Sequence, residues 1–233
     1  MTLGSSMNIA HRLTFGFGFA VLALIILSVV SIQGVIHLND ALSFIVEINA
    51  PETDIANKMV ETAQEIRVQY RQTLLDEAPG AKAKSLERLQ AAQDKFQKYE
   101  IELNRLFEKN AADTNAKERE LSSQITSQYS LAFASIAKLL ELDGKGKTAR
   151  EETLRYLSEN TSPAMSTLNK LLRELANEEE KLTNATASEV RKMADTLRTT
   201  VISLSLVTIV LLILFGWAIT RSILNTLGSD PGE

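Results

Sequence analysis

Residues 13–35 read LTFGFGFAVLALIILSVVSIQGV, a run of 23 residues without a charged side chain. A second uncharged run of 22 residues, TTVISLSLVTIVLLILFGWAIT, occupies residues 199–220. As helices the two runs are about 33–35 Å long, which is enough to cross a hydrocarbon core of about 30 Å. The sequence therefore predicts two transmembrane helices, with residues 36–198 as one large domain between them and short tails at 1–12 and 221–233. This layout is typical of a receptor.

The first apolar run is predicted to remain as a membrane anchor. It is longer than the 7–15 residues of a signal-peptide core, and no small-x-small cleavage site follows it. Arg12 and Arg221 flank the ends that the positive-inside rule places in the cytoplasm. Trp217 lies near the inner end of the second run, where interfacial aromatics are common. We therefore expect a multi-pass membrane protein whose large domain lies on the side opposite the cytoplasm.

Composition excludes several function classes. The chain has 25 Lys and Arg against 29 Asp and Glu, a net charge of −4, which argues against nucleic acid as a partner. There is no cysteine, and the two histidines, His11 and His37, belong to no metal-ligand pattern, so we expect neither a metal nor a cofactor.

No catalytic constellation is apparent in the sequence. The glycines at 144–147 lack the spacing of a phosphate-binding loop. The acidic run at 178–180 points three successive side chains to different faces of a helix, and we expect it to be solvated. The sequence therefore predicts that the protein is not an enzyme.

The segment between the apolar runs is predicted to be helical throughout. Turn residues cluster at 79–80, 110–115 and 143–146. They divide the segment into four helices, at about 36–78, 81–109, 115–142 and 149–200. Because the first and last helices continue into the apolar runs, the second turn should lie toward the membrane and the other two at the far end. Pro51 and Pro163 could each kink a helix or restart it, and the pattern leaves both readings open.

Each predicted helix carries one apolar stripe with steps of three or four residues. The stripes are Ile55, Met59, Ile66, Tyr70 and Leu74; Leu86, Leu89, Phe96, Tyr99, Leu103 and Leu106; Leu121, Ile125, Tyr129, Ala132, Ile136 and Leu139; and Leu168, Leu172, Leu175, Leu182, Val190 and Leu197. One buried stripe per helix favours an all-α fold, an antiparallel four-helix bundle flanked by two transmembrane helices.

Two short motifs at the membrane boundaries carry a family resemblance. Residues 12–19, RLTFGFGF, are similar to the start of many bacterial chemoreceptors. Residues 221–224, RSIL, followed by LGSDP at 227–231, are similar to the junction with the cytoplasmic HAMP relay. With the span–bundle–span layout of the whole chain, they make it resemble the sensory half of a methyl-accepting chemotaxis protein. Thr226 and Ser229 depart from the family's usual proline and glycine. The sequence ends at Glu233, early in HAMP, so the kinase-coupling part of such receptors is absent from this chain.

The resemblance implies a small anionic ligand, bound by arginines of the first bundle helix at a dimer interface far from the membrane. Arg67 and Arg71 match this position, lie at i and i+4, and have no acidic residue three or four positions away. Guanidinium groups suit a carboxylate. Tyr70 is a further candidate, as is Thr167, which a rise of 1.5 Å per residue places at the same level on the fourth helix. Lys138 is a weaker candidate.

The function expected from these observations is that of a transmembrane chemoreceptor sensory module. Its partners would be membrane lipid, a second copy of the chain in a homodimer, and a small ligand such as an organic acid or amino acid. Two alternatives remain open. The same unit could serve a histidine kinase or a nucleotide cyclase, or it could be a membrane-anchored helical scaffold that binds no ligand.

Overall fold

The computed structural model describes residues 9–76 and 78–227, and these are helical almost throughout. The helices are α1 (Ile9–Phe44), α2 (Ala50–Leu75), α3 (Pro79–Lys109), α4 (Ala116–Asp143), α5 (Arg150–Tyr156) and α6 (Ser162–Leu227). No strand occurs in this part of the chain. The chain divides into two compact units, one comprising residues 43–187 and the other the residues before and after them. The HAMP-like motif lies outside the described residues from Gly228 onward, as does most of the predicted N-terminal tail.

Residues 43–187 form the antiparallel four-helix bundle that the sequence predicts. Its non-helical connections lie at the three predicted turns, since α2 ends at Leu75, α3 at Lys109 and α4 at Asp143. The fourth bundle helix consists of α5 and the first part of α6. Short connections of this kind place successive helices side by side and antiparallel.

The core of the bundle contains most of the predicted apolar stripe. All five residues predicted for the first helix are buried, and Tyr70 and Phe96 are among the largest side chains with no exposed surface. The Phe96 ring packs at 5.6 Å from both Tyr129 and Phe133. Leu86 is an exception, because it is 38% exposed. The neighbouring Ser85 is buried in its place and donates a hydrogen bond to the Asp76 carboxylate.

Polar contacts close both ends of the bundle. At the end with the first and third turns, the Asp143 carboxylate pairs with Lys82 and lies 3.7 Å from the Arg150 guanidinium, which also donates to the Leu74 carbonyl. At the other end, Asn115 caps α4. Its Oδ1 accepts from the backbone N–H of Glu118, and the Glu118 carboxylate accepts from the Asn115 N–H. This capping box satisfies backbone donors that the helix cannot satisfy itself.

Pro51 and Pro163 each follow a π-helical segment. Residues Ile45–Asn49 form one such segment and Leu157–Thr161 the other, each five residues long. Pro51 and Pro163 each lie two residues beyond the end of their segment. The helical backbone continues through both, with φ −65° and ψ −41° at Asn49 and φ −65° and ψ −44° at Ser162. Neither proline therefore breaks its helix, because the wider π turn changes the hydrogen-bond pattern just before the residue that lacks an N–H.

The other unit pairs the apolar part of α1 with the apolar part of α6. The rings of Phe19 and Phe215 lie 4.7 Å apart, and Gly34 is in contact with Leu197. Both helices are long and apolar enough to cross a membrane. Their outward side chains are largely exposed, for example Phe17 at 68% and Ile213 at 65%. A surface of this kind is stable in lipid rather than in water, so the observations indicate a membrane location.

Candidate functional site

A cleft between α2 and α6 is the candidate binding site of the bundle. It has a volume of about 360 Å³ and opens to solvent. Its lining residues are Gln64, Arg67, Val68 and Arg71 on α2 and Asn169 and Arg173 on α6. Three guanidinium groups from two helices therefore share one concave surface.

Helical spacing explains why these side chains meet. Arg67 and Arg71 are four residues apart, so they share a face of α2, while Ile66 and Tyr70 point into the core beside them. Asn169 and Arg173 show the same spacing on α6. Each pair of residues thus lies at the edge of its helix's buried stripe, where long side chains reach across to the neighbouring helix.

The cleft has an excess of positive charge. Within the described part of the chain, no carboxylate lies within 4.0 Å of the guanidinium groups of Arg67, Arg71 or Arg173. The Arg71 guanidinium lies 5.9 Å from the centre of the Tyr70 ring, a cation–π contact that holds it beside the core. Like charges held together without a counter-charge favour an anionic ligand.

Asn169, which lines the cleft, has a buried hydrogen-bond acceptor without a partner. Its side chain is 8% exposed, and its Nδ2 donates to the Met165 carbonyl at 3.0 Å. Its Oδ1 is buried without a hydrogen-bond partner. A buried carbonyl oxygen that lacks a partner costs free energy, so this atom favours a ligand that donates a hydrogen bond.

The structure places the four residues predicted for ligand binding in different environments. Arg67 and Arg71 line the cleft. Tyr70 is fully buried behind them, and its hydroxyl has no hydrogen-bond partner. Thr167 is exposed and is not part of the lining. The weaker candidate, Lys138, pairs with Glu141 at 2.9 Å. The ligand contacts of all these residues remain predictions.

The sequence predicted that Thr167 lies opposite Arg67, but the residues of α6 that line the cleft with Arg67 are Asn169 and Arg173, two and six positions later. The prediction counted a uniform rise along straight α-helices from residues 35 and 199. The π-helical segment Ile45–Asn49 puts an extra residue into one turn, which lowers Arg67 by about one residue relative to that count and accounts for only part of the difference.

The sequence contained a signal for Arg173 that the prediction did not use. Like Arg67 and Arg71, Arg173 has no acidic residue three or four positions away. Had this test been applied to all four helices, it would have included Arg173. Asn169 gave no such signal, because only the fold shows that its Oδ1 is buried.

A larger groove lies between α3 and α4, with a volume of about 740 Å³. Hydroxyl groups of serine and threonine dominate its lining. Its one basic residue is Arg119, whose guanidinium donates to the backbone carbonyls of Ala111 and Thr114. Because this cation is already bound to the protein, the groove is a weaker candidate for an anionic ligand.

The prediction that the acidic run at 178–180 is solvated is wrong for its middle residue. Glu178 pairs with Lys117 at 2.8 Å, and Glu180 is exposed. Glu179 is only 1% exposed. It faces the bundle core because it lies four residues after Leu175, on the buried stripe of α6.

Comparison with known proteins agrees with this architecture. One protein-family model matches residues 6–194, and its description is "Four helix bundle sensory module for signal transduction". No curated protein and no solved structure matches the chain.

Proposed function

Since the chain belongs to the family of four-helix-bundle sensory modules for signal transduction, we propose that it senses a small carboxylate in the cleft between α2 and α6. One observation carries the proposal. Arg67, Arg71 and Arg173 line one cleft and lack a carboxylate partner among the described residues. A planar guanidinium binds a carboxylate through two parallel hydrogen bonds, so two or three of them suit a mono- or dicarboxylate.

The ligand should also carry a hydrogen-bond donor. The Oδ1 of Asn169, a residue that lines the cleft, is buried and lacks a hydrogen-bond partner. A protonated amino group or a hydroxyl beside the carboxylate would satisfy it. Amino acids and hydroxy acids are therefore better candidates than simple aliphatic acids.

The proposed receptor is a homodimer in the bacterial inner membrane, with the bundle in the periplasm. Val68 and Leu75 support the dimer. They lie seven residues apart on one face of α2, beside the arginines, and are 60% and 68% exposed. Apolar residues exposed in this way favour packing against a second copy.

Helix α6 is the proposed output of the sensor. It continues without a break from Ser162 to Leu227, so Arg173 and the apolar residues 199–220 belong to one helix. A ligand that prefers one position of α6 would shift the population toward it. A coupling of about 1–3 kcal/mol is sufficient for such a linkage. The signal would pass toward a HAMP relay after residue 221.

The test is a ligand screen by thermal unfolding of the full chain in lipid nanodiscs. Amino acids, hydroxy acids, dicarboxylates and aromatic acids would be added in turn, and unfolding followed by circular dichroism. A ligand at 100 times its Kd adds about 2.7 kcal/mol of stability. Each active compound would then be tested on Arg67→Gln, Arg71→Gln and Arg173→Gln.

Arg105→Gln provides the matched control. Arg105 is exposed on α3 and has Glu102 and Glu108 three residues away on either side. We expect the ligand-induced shift to be lost in the three cleft variants and retained in Arg105→Gln. If all three cleft variants retain the ligand-induced shift, the assignment of the site is wrong. No shift with any compound would favour the scaffold alternative.

A further inference from the structure

Three buried glutamates from three helices meet at the end of the bundle that carries the α3–α4 turn. They are Glu52 on α2, Glu118 on α4 and Glu179 on α6, with exposures of 4%, 2% and 1%. One carboxylate oxygen from each lies within 4.8 Å of the other two. Glu52 precedes Arg67 by 15 residues on α2, about 22 Å along the helix, so this cluster is separate from the arginine cleft.

The cluster lacks a basic partner. In the described ranges, no lysine or arginine lies within 4.0 Å of these three carboxylates. Arg119, the residue after Glu118, donates instead to two backbone carbonyls. A buried carboxylate is costly unless it is paired, protonated or bound to a metal.

Hydrogen bonds reach two of the three carboxylates and leave a buried oxygen of the third without a partner. The Asn110 Nδ2 donates to the Glu52 Oε1 at 2.8 Å. The Asn115 backbone N–H donates to the Glu118 Oε2 at 2.5 Å. The Glu179 Oε1 is buried and has no hydrogen-bond partner. An unpartnered carboxylate oxygen beside two other carboxylates is an arrangement that a cation would complete.

Burial also disfavours the ionised form of all three groups. It raises the pKa of Glu52 and of Glu118, and it raises the pKa of Glu179 to about 8, with the two neighbouring carboxylates adding to the effect. Without a cation, the Glu179 carboxyl would therefore hold its proton near neutral pH. A divalent cation would displace that proton.

We propose that Glu52, Glu118 and Glu179 bind a hard divalent cation, with Ca²⁺ as the best fit. All ligand atoms are carboxylate oxygens, which Ca²⁺, Mg²⁺ and Mn²⁺ prefer and softer metals do not. Two ligands of one Ca²⁺, each at about 2.4 Å, can lie up to about 4.8 Å apart. Mg²⁺, with ligands at about 2.1 Å, limits the separation to about 4.2 Å. Any separation within the 4.8 Å limit of this site therefore fits Ca²⁺, whereas Mg²⁺ fits only if every pair of oxygens lies closer than about 4.2 Å.

The bound cation would connect three helices of the bundle. Thr53 follows Glu52 on α2, Thr183 lies four residues after Glu179 on α6, and their hydroxyls are joined by a hydrogen bond of 3.1 Å. Asn49 and Thr186 make a further contact at 3.3 Å. Shared ligation of one cation by residues of three helices should tighten this end of the bundle. The site acts independently of the anion cleft and does not require the proposed function.

The test uses the full chain in nanodiscs, treated with EDTA and then dialysed. Calorimetric titration with CaCl₂, MgCl₂ and MnCl₂ would be carried out in two buffers of different ionisation enthalpy. We expect one Ca²⁺ per chain, release of protons on binding, and a rise of several °C in Tm. Proton release follows because the ligands must be deprotonated.

Glu179→Gln and Glu180→Gln are the matched variants, since they make the same change at adjacent positions, one buried and one exposed. Glu179→Gln should weaken Ca²⁺ binding at least about 10-fold, as loss of a ligand does. It should nevertheless raise the Tm of the metal-free protein at pH 8, which shows that the variant is folded. Glu180→Gln should bind Ca²⁺ like the wild type. Glu52→Gln, which keeps its shape, should also lose binding.

Two results would overturn the proposal. If no divalent cation binds and Tm responds only to pH, the three carboxylates hold protons and not a metal. If Ca²⁺ binds equally well to Glu179→Gln and Glu52→Gln, the cation occupies another place. Electron paramagnetic resonance of added Mn²⁺ tests binding independently of Tm, because the spectrum of a bound ion differs from that of the free ion.

Discussion

The side-chain amide of Asn110 donates a 2.8 Å hydrogen bond to the carboxylate of Glu52, 58 residues away in sequence. Both residues are buried, at 8% and 4% exposure. The contact joins the α3–α4 turn to the first turn of α2. Its removal should be costly, because a hydrogen bond to a buried carboxyl contributes more than an exposed one.

Asn110→Ala should destabilise the bundle by about 1–3 kcal/mol, because it leaves the Glu52 carboxyl buried with one partner fewer. Urea unfolding of the full chain in nanodiscs, monitored by circular dichroism, measures the difference. Asn177→Ala on the exposed face of α6 is the control and should change stability by less than about 0.5 kcal/mol. Equal effects of the two changes would mean that the Asn110–Glu52 contact adds nothing to stability.

The stability of the metal-free protein should fall as pH rises from about 4.5 to about 8. In this window the unfolded chain has released the Glu179 proton, whereas the folded chain retains it, because burial raises its pKa to about 8. The folded state thus binds more protons, and its stability decreases by up to about 1.4 kcal/mol per pH unit. Above pH 8 this contribution is constant.

The pH effect can be measured by unfolding in EDTA at a series of pH values. Glu179→Gln should flatten the curve between pH 5 and 8, since it removes the titrating group but keeps its shape. A wild-type curve that rises through this window would show that the Glu179 carboxyl is not desolvated as the structure indicates.

Phe96→Ala should cost about 3–5 kcal/mol, since it removes a fully buried ring that packs against Tyr129 and Phe133. The matched change is Ile101→Ala on the same helix, where the side chain is 65% exposed. It should stay within about 0.5 kcal/mol of the wild type. Denaturant unfolding distinguishes the two, and a similar cost for both would contradict the position of α3 in the bundle.

Gly34→Leu should separate the apolar parts of α1 and α6, because a side chain at this position meets Leu197. The chain has no cysteine, so Phe19→Cys with Phe215→Cys gives a specific probe of the pairing. We expect the oxidised cross-link to form readily in membranes and to slow markedly when Gly34→Leu is added. Gly18→Leu should leave the rate unchanged, since nothing lies within 4 Å of a Cβ at that position. A rate unaffected by Gly34→Leu would argue against this helix pairing.

Most of the fold could be predicted from local patterns. Apolar steps of three and four residues predict amphipathic helices, and clusters such as residues 110–115 predict where they end. Leu86 was misassigned because a local pattern does not show that Ser85, near the start of α3, donates a hydrogen bond to Asp76 just after α2. Propensity and periodicity describe one helix at a time, whereas this detail depends on the neighbouring segment.

The candidate sites were less predictable. Arg67, Arg71 and Arg173 each lack a nearby acidic residue in sequence, but only the fold shows that all three line one cleft. The three glutamates of the acidic cluster come from positions more than 60 residues apart and form no sequence motif. Sequence spacing can identify ligands that share a helix, and it carries no information on groups that converge from separate helices.

The π-helical segment Leu157–Thr161 changes the phase of the helical repeat. Counting back two turns, or seven residues, from the buried Thr161 leads to Leu154, which is 48% exposed. The buried residue is Thr153, one position earlier, because the wide turn adds one residue. A heptad template carried through this segment would thus assign the wrong side chains to the interior. Removing one residue from it would rotate α5 by about 100° against α6 and expose Thr153, so the length of this segment is as constrained as its composition.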